Sequence, residues 1–290
     1  MTTTSIVTQA PSKKMRPRLS FISGIGLTGQ ISFWVIIAVA LIAAVGPYIV
    51  PADPNAVDLE YAYYPPSQWF WLGTDASGRD IFSRLIVGSR TALLGPLAVV
   101  AMATVLGTVL GLVAVWFGGW VDALIVRVID AIFAFPGILV AILATALFGA
   151  GLPAATIALS IAYTPYIARI VRSAALRERN LPYISALQVQ GRHGFAISAR
   201  HILPNVSGLI VANATLCFGL ALIDLAALSF IGFGVQPPTA DWGAMVGGGM
   251  SGILQGEPLE AIAASVLIVI TVAAVNTLGD RLVQRSESRA

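Results

Sequence analysis

The 290-residue chain has one cysteine, two histidines and only 11% charged residues. A soluble domain carries about 25%. The single Cys217 excludes a disulfide within the chain, and with His193 and His201 it is too little to build a His/Cys metal centre. No G-x-x-x-x-G-K-[ST] stretch is present, so the chain cannot cradle nucleotide phosphates by that route. There is no G-x-S-x-G turn and no H-E-x-x-H pair. Basic residues are not interleaved with aromatic ones, which argues against a nucleic acid partner. No cofactor is expected in this chain.

What is present is apolar. Hydrophobic residues make up 57% of the chain, and its mean hydropathy is +0.84. A bilayer core takes about 20 apolar residues per helix. The sequence predicts an all-α membrane protein with six spans, at 31–51, 91–117, 121–148, 153–175, 206–233 and 259–279. An even number puts both termini on one side. Basic residues choose the side. Lys13, Lys14, Arg16 and Arg18 precede the first span. Arg169, Arg172, Arg177, Arg179, Arg192 and Arg200 lie at or between the ends of the fourth and fifth, and Arg281, Arg285 and Arg289 follow the sixth. Thirteen of the 17 Lys and Arg thus share one side, and Arg127 joins them. Arg79, Arg84 and Arg90 fall opposite, outnumbered by Asp53, Asp58, Glu60, Asp75 and Asp80. Both termini are therefore expected in the cytoplasm.

The basic start is not expected to be a cleavable signal, because the apolar run behind it is too long. The expected organisation is a cytosolic tail at 1–30, a transmembrane domain at 31–280 and a cytosolic tail at 281–290. Within the domain lie an external segment at 52–90, a cytosolic segment at 176–205 and an external loop at 235–258.

The cytosolic segment contains "YISALQVQGRHGFAISARHILPN", residues 183–205. Asn180 can cap a helix and Pro182 suits its first turn. Ile184 and Leu187 share one face, and Gly191 lets the chain turn. A second short helix puts Phe195, Ala199 and Ile202 on one face, with Arg192, Ser198 and Arg200 elsewhere. The residues alone leave two readings open. One is an interfacial helix on anionic lipid. The other is an apolar face laid in a partner's groove.

The same stretch resembles the EAA loop of ABC-importer permeases, E-A-A-x3-G-x9-I-x-L-P. Ala186, Gly191, Leu203 and Pro204 match. Ser185 stands at the usual glutamate, Leu187 at the second alanine and His201 at the isoleucine. "WLGTDASGRDIFSRLIVGSR" (71–90), "DAIFAFPGILVAI" (130–142) and "LIDLAALSFIGFGVQPPTADWGAM" (222–245) are similar to the dipeptide/oligopeptide/nickel permease family of the DppC/OppC type. The resemblance covers roughly residues 30–285. It implies a type I importer permease fold in a prokaryotic inner membrane. It also implies a homologous sister permease, two cytosolic ATPase subunits carrying ATP and magnesium, and an external substrate-binding protein. Residues 183–205 then look like the helix that docks on an ATPase. The coupling residues that the resemblance implies are Ile184, Ser185, Ala186, Leu187, Gly191, Phe195, Leu203 and Pro204. The implied cargo is a di- or oligopeptide, with nickel, haem or another small solute as alternatives within the same machine.

Asp224 is the lone charge well inside the fifth span. Intramembrane carboxylates usually face protein or water. It is a candidate for the translocation pathway, or a hydrogen-bonded anchor. A stand-alone secondary transporter would have Asp224 as its one clear coupling carboxylate, and a membrane-embedded enzyme would need paired catalytic groups that the sequence lacks. Gly107 and Gly111 form G-x-x-x-G, which lets helices approach closely. Ser77 and Asp80 read as the start of a capping box, Asp80 and Arg84 as an i, i+4 pair. Mutual pairing is expected among Asp122, Arg127 and Asp130.

Overall fold

The computed structural model describes residues 26–287. The tail expected at 1–30 therefore lies, for residues 1–25, outside the described residues, as do 288–290. The chain runs through α1 (Gly26–Ile49), a 3-10 turn (Leu59–Tyr61), α2 (Ile81–Phe117), α3 (Gly119–Phe133), α4 (Gly137–Phe148) and α5 (Leu152–Arg179). Two short helices follow, α6 (Pro182–Val189) and α7 (Gly194–Ile197). A π turn (Ser198–Ile202) joins α7 to α8 (Leu203–Phe230). The last elements are α9 (Trp242–Gly248), α10 (Met250–Gln255) and α11 (Leu259–Glu287). Among the described residues there is no β-strand, only an isolated bridge between Thr74 and Asp80.

Five helical stretches are long and apolar enough to cross a membrane. The pair α3 and α4, bent by 79° at their junction, makes a sixth when counted as one span. The third apolar run is thus broken, where hydropathy alone predicted one straight helix over 121–148. Pro136 is the cause. It has no N–H to extend α3, and it caps the start of α4 with extended backbone. Two further boundaries moved. The helix that Asp80 opens runs without a break into the second span, which was expected from 91, as α2. The tail expected from 281 is helical through Glu287.

Residues at one end of the bundle tie its long loops together. Arg84, buried, donates from Nη1 to the carbonyls of Pro54 (2.9 Å) and Pro238 (3.4 Å). The Trp242 indole donates to the Leu85 carbonyl at 2.8 Å, and Thr91 Oγ1 to Ala240 O at 3.0 Å. The motifs at 71–90 and 222–245 therefore form one packed unit. The partner of Arg84 is Asp75, at 3.6 Å, because Asp80 is committed as the N-cap of α2, accepting from Ser83 N at 2.9 Å. Ser77 does not cap; its N–H donates to Asp75 Oδ1.

The core lies along α2, α5 and α8, where Val99, Leu159, Val171, Cys217 and Leu228 are buried together. The two glycines of α2 set that approach. A β-carbon at Gly107 would stand 2.8 Å from Ile167 Cβ, and one at Gly111 2.9 Å from the Ala168 carbonyl. G-x-x-x-G thus packs α2 on α5 within this chain. A second cluster joins α1, the start of α2, Trp242, Met245 and α11.

Candidate functional site

At the opposite end of the bundle α6, α7 and the π turn form a surface element. Its local structure follows from a few residues. Leu181, not Asn180, is the N-cap of α6, without a side-chain cap; Asn180 instead closes α5. Pro182 opens α6. Gly191 turns the chain at φ +75°, a conformation that favours glycine.

The structure separates the sequence-predicted residues of this element into two sets. Ile184 is fully buried in the core of this chain, and Leu187 packs against the same core. Ile197 and Ile202 are each 1% exposed. Val189 and Phe195 are 90% and 85% exposed. The expected outward face of Ile184 with Leu187 is therefore inward, and Phe195 does not share its side with Ile202. The π turn is the reason. It fits an extra residue into one turn, with Leu203 N–H bonded to the Ser198 carbonyl, so residues five apart align. Ile197 and Ile202 meet that spacing and both point into the protein. Ser185, Ala186 and Gly191 are exposed, Leu203 is half-buried and Pro204 exposed at the start of α8.

The element is tied down at two points. The Gly194 backbone lies directly against the Trp116 ring near the end of α2. Arg179 stacks on the other contact of that ring, 5.4 Å from its centroid, and donates to the Val115 carbonyl. Nearby, Asn205 Nδ2 donates to Glu178 Oε1 at 2.7 Å, and the Tyr183 hydroxyl donates to the same oxygen. Burial, reinforced by that carboxylate, holds the Tyr183 phenol above its ordinary pKa. Arg172 grips Asp122 with two bonds of 2.6 Å, and Arg169 pairs with Asp130 at 2.7 Å. These ion pairs cross between α3 and α5, where pairing within α3 was expected.

Asp224 lies elsewhere, on a cleft of about 370 Å³ formed by α5, α8 and the α3–α4 break. Phe133, Phe135, Pro136, Tyr163 and Tyr166 line it too. The Tyr163 hydroxyl donates to Asp224 Oδ2 at 2.9 Å, and Tyr166 to Asn213 Oδ1 at 3.1 Å. Sequence reasoning found Asp224 but not the break residues. The signal was there in "AFPG", residues 134–137, because Pro-Gly punctuates a helix even inside an apolar run. Val189 and Gly194 carried no such signal.

Residues 103–290 match the family described as binding-protein-dependent transport system inner membrane component. The chain belongs to that family. Among similar proteins, the glutathione transport system permease protein GsiD of Pectobacterium atrosepticum is 40% identical over 236 residues, covering 81% of this chain and 78% of GsiD. The dipeptide transport system permease protein DppC of Alkalihalophilus pseudofirmus is 37% identical over 248 residues, covering 86% and 81%. A chain of the MetNI methionine ABC transporter, solved in an inward-facing conformation, has the same fold at a TM-score of 0.56 and 22% identity. It covers 70% of this chain and 96% of its own. As an inner membrane component, this chain is a multi-pass permease subunit of a binding-protein-dependent importer.

Proposed function

We propose that this permease pairs with a homologous sister subunit and moves di- or oligopeptides inward, driven by two cytosolic ATPase subunits. An external binding protein delivers the cargo. ATP and magnesium belong to the ATPases; this chain holds neither. Both termini and residues 181–202 face the cytosol. The clustering of basic side chains at that end of the bundle supports this orientation.

The observation that carries the proposal is the outward pair Val189 and Phe195 standing beside the inward trio Ile184, Ile197 and Ile202. Large side chains this exposed at the tip of a surface element suit an apolar groove on another protein. Ser185 and Ala186 complete that outward surface, and Gly191 turns the chain between its two parts. The inward residues, with Leu187, Leu203 and Pro204, join the element to the core and to α8. A push on the surface then moves α8, which carries Asp224. Peptide as cargo rests on the names of the relatives, which include glutathione, dipeptide and peptide systems.

The experiment is purification of the tagged subunit from its native membrane in mild detergent, followed by reconstitution in liposomes. Co-purification of a sister permease and ATPases, with ATP-dependent uptake of a labelled tripeptide presented by the binding protein, supports the proposal. Uptake by this chain alone, without ATPases, overturns it.

A further inference from the structure

We infer that the cleft at the α3–α4 break is a binding site for a primary ammonium group, and that the Asp224 carboxylate receives it. The inference rests on the cleft being part of the transport path. Three observations lead to it.

Asp224 is the only charged residue among those that line the cleft. No lysine or arginine lines it to neutralise the carboxylate. Tyr163 occupies Oδ2 and holds the side chain in place, while Oδ1 has no hydrogen-bond partner among the described residues. That leaves an unpaired acceptor oxygen on a side chain that lines the cleft.

The rest of the wall is aromatic. Phe135, Tyr163 and Tyr166 line the cleft with the carboxylate, and aromatic faces attract organic cations within about 6 Å of a centroid; the Phe133 ring, also in the lining, already holds the Arg169 guanidinium at 4.9 Å. A carboxylate framed by aromatic rings is complementary to the charged amine at the start of an uncapped peptide, and repels its free carboxylate end.

The break borders the cleft, and its residues Phe135 and Pro136 are exposed. Backbone that leaves a helix at membrane depth is tolerated only where protein covers it or water reaches it. Ala134, Phe135 and Pro136 lie between the two helices, and Phe135 and Pro136 form part of the cleft wall. The first amides of α4 also lie at this point, so an anion is the competing occupant. The fixed negative charge of Asp224 decides for a cation.

The test uses the assembled transporter in nanodiscs, with Cys217→Ala and Leu220→Cys. Leu220 lines the cleft one turn from Asp224 and is half exposed. Three thiol reagents serve as probes: 2-aminoethyl methanethiosulfonate, itself a primary ammonium, the neutral methyl reagent and the anionic 2-sulfonatoethyl reagent. The ammonium reagent should react about fivefold or more faster than the neutral one, from the attraction of one nearby charge in a wet site. Asp224→Asn should remove that preference. Asp224→Glu, which keeps the charge, should retain it. An unchanged preference in Asp224→Asn overturns the inference. So does preference for the anionic reagent, or failure of all three to react. A second arm compares uptake of trialanine with N-acetyl-trialanine, where Asp224→Asn should narrow the difference between them. If the wild-type transporter carries neither peptide, the peptide reading fails, while the reagent preference still decides the site.

Discussion

Gly194 and Trp116 are in such close contact that a β-carbon on the glycine would fall inside the indole ring. The contact joins the surface element to the end of α2, and Arg179 stacks on the same ring from α5. Three helices therefore meet at one side chain. Gly194→Ala should displace Trp116 or α7, at a cost of about 1–3 kcal/mol. The expected result is a lower melting temperature of the purified complex and poorer coupling of ATP hydrolysis to uptake. Adding Trp116→Ala should recover part of the loss. Wild-type melting and coupling in the Gly194→Ala protein would show that the contact is not needed.

Gly191 presents the opposite case. Nothing lies within 4 Å of a β-carbon placed there, so only the positive φ resists substitution. Gly191→Leu should cost roughly 1–2 kcal/mol in backbone strain, and Gly191→Asn less. Subunit yield should hold for both. Under the proposed docking, a leucine in this free space would meet the ATPase, so coupled uptake should fall in Gly191→Leu and persist in Gly191→Asn. Equal uptake in the two variants would remove the turn from the docking surface.

Outward and inward residues of the same element should fail differently. Phe195→Asp and Val189→Asp place charge on exposed positions and should leave the permease folded while reducing ATPase co-purification. Ile184→Ala opens a cavity in the core and should destabilise the subunit by about 2–5 kcal/mol. Quantitative pull-down and melting curves separate the outcomes. Loss of subunit yield in Phe195→Asp would contradict its exposure.

Gly107→Leu should be the most damaging change of the set. A β-carbon there already stands 2.8–2.9 Å from Ile167 and the backbone of Ala168, and a larger group has nowhere to go. Separation of α2 from α5 follows, with loss of folded protein on size-exclusion chromatography. Recovery of normal yield would mean that α2 and α5 can part without loss of the fold.

The membrane architecture was legible because lipid leaves few options. A span must be a long apolar helix, and runs of that length stand out in the sequence. Gly191 and the Gly107/Gly111 pair were legible for a similar reason, since each removes a specific steric conflict. The direction of the surface faces was not. Helical spacing puts Ile184 with Leu187, but says nothing about whether core or solvent lies on that side. The π turn at Ser198–Ile202 has no periodic signature, so Phe195 and Ile202 were assigned together. Hydropathy concealed the break at Pro136, because apolar residues adjoin it on both sides, "AIFAF" before and "GILVAI" after. Ion pairs went astray where partners came from other elements: Arg172 reaches Asp122 across 50 positions of sequence.

Helical backbone is continuous from Gly194 to Phe230, 37 residues without a loop. From Phe195 to Asp224 it forms a lever arm of about 44 Å at 1.5 Å per residue. A tilt of about 3° at the surface then carries the carboxylate by about 2 Å, comparable to the difference between a made and a broken hydrogen bond. The widened turn at Ser198–Ile202, followed at once by Pro204, interrupts the regular α-helical pairing along this arm. Under the proposed docking, the stiffness of this turn would set how much of a push at Phe195 arrives at the Tyr163–Asp224 bond.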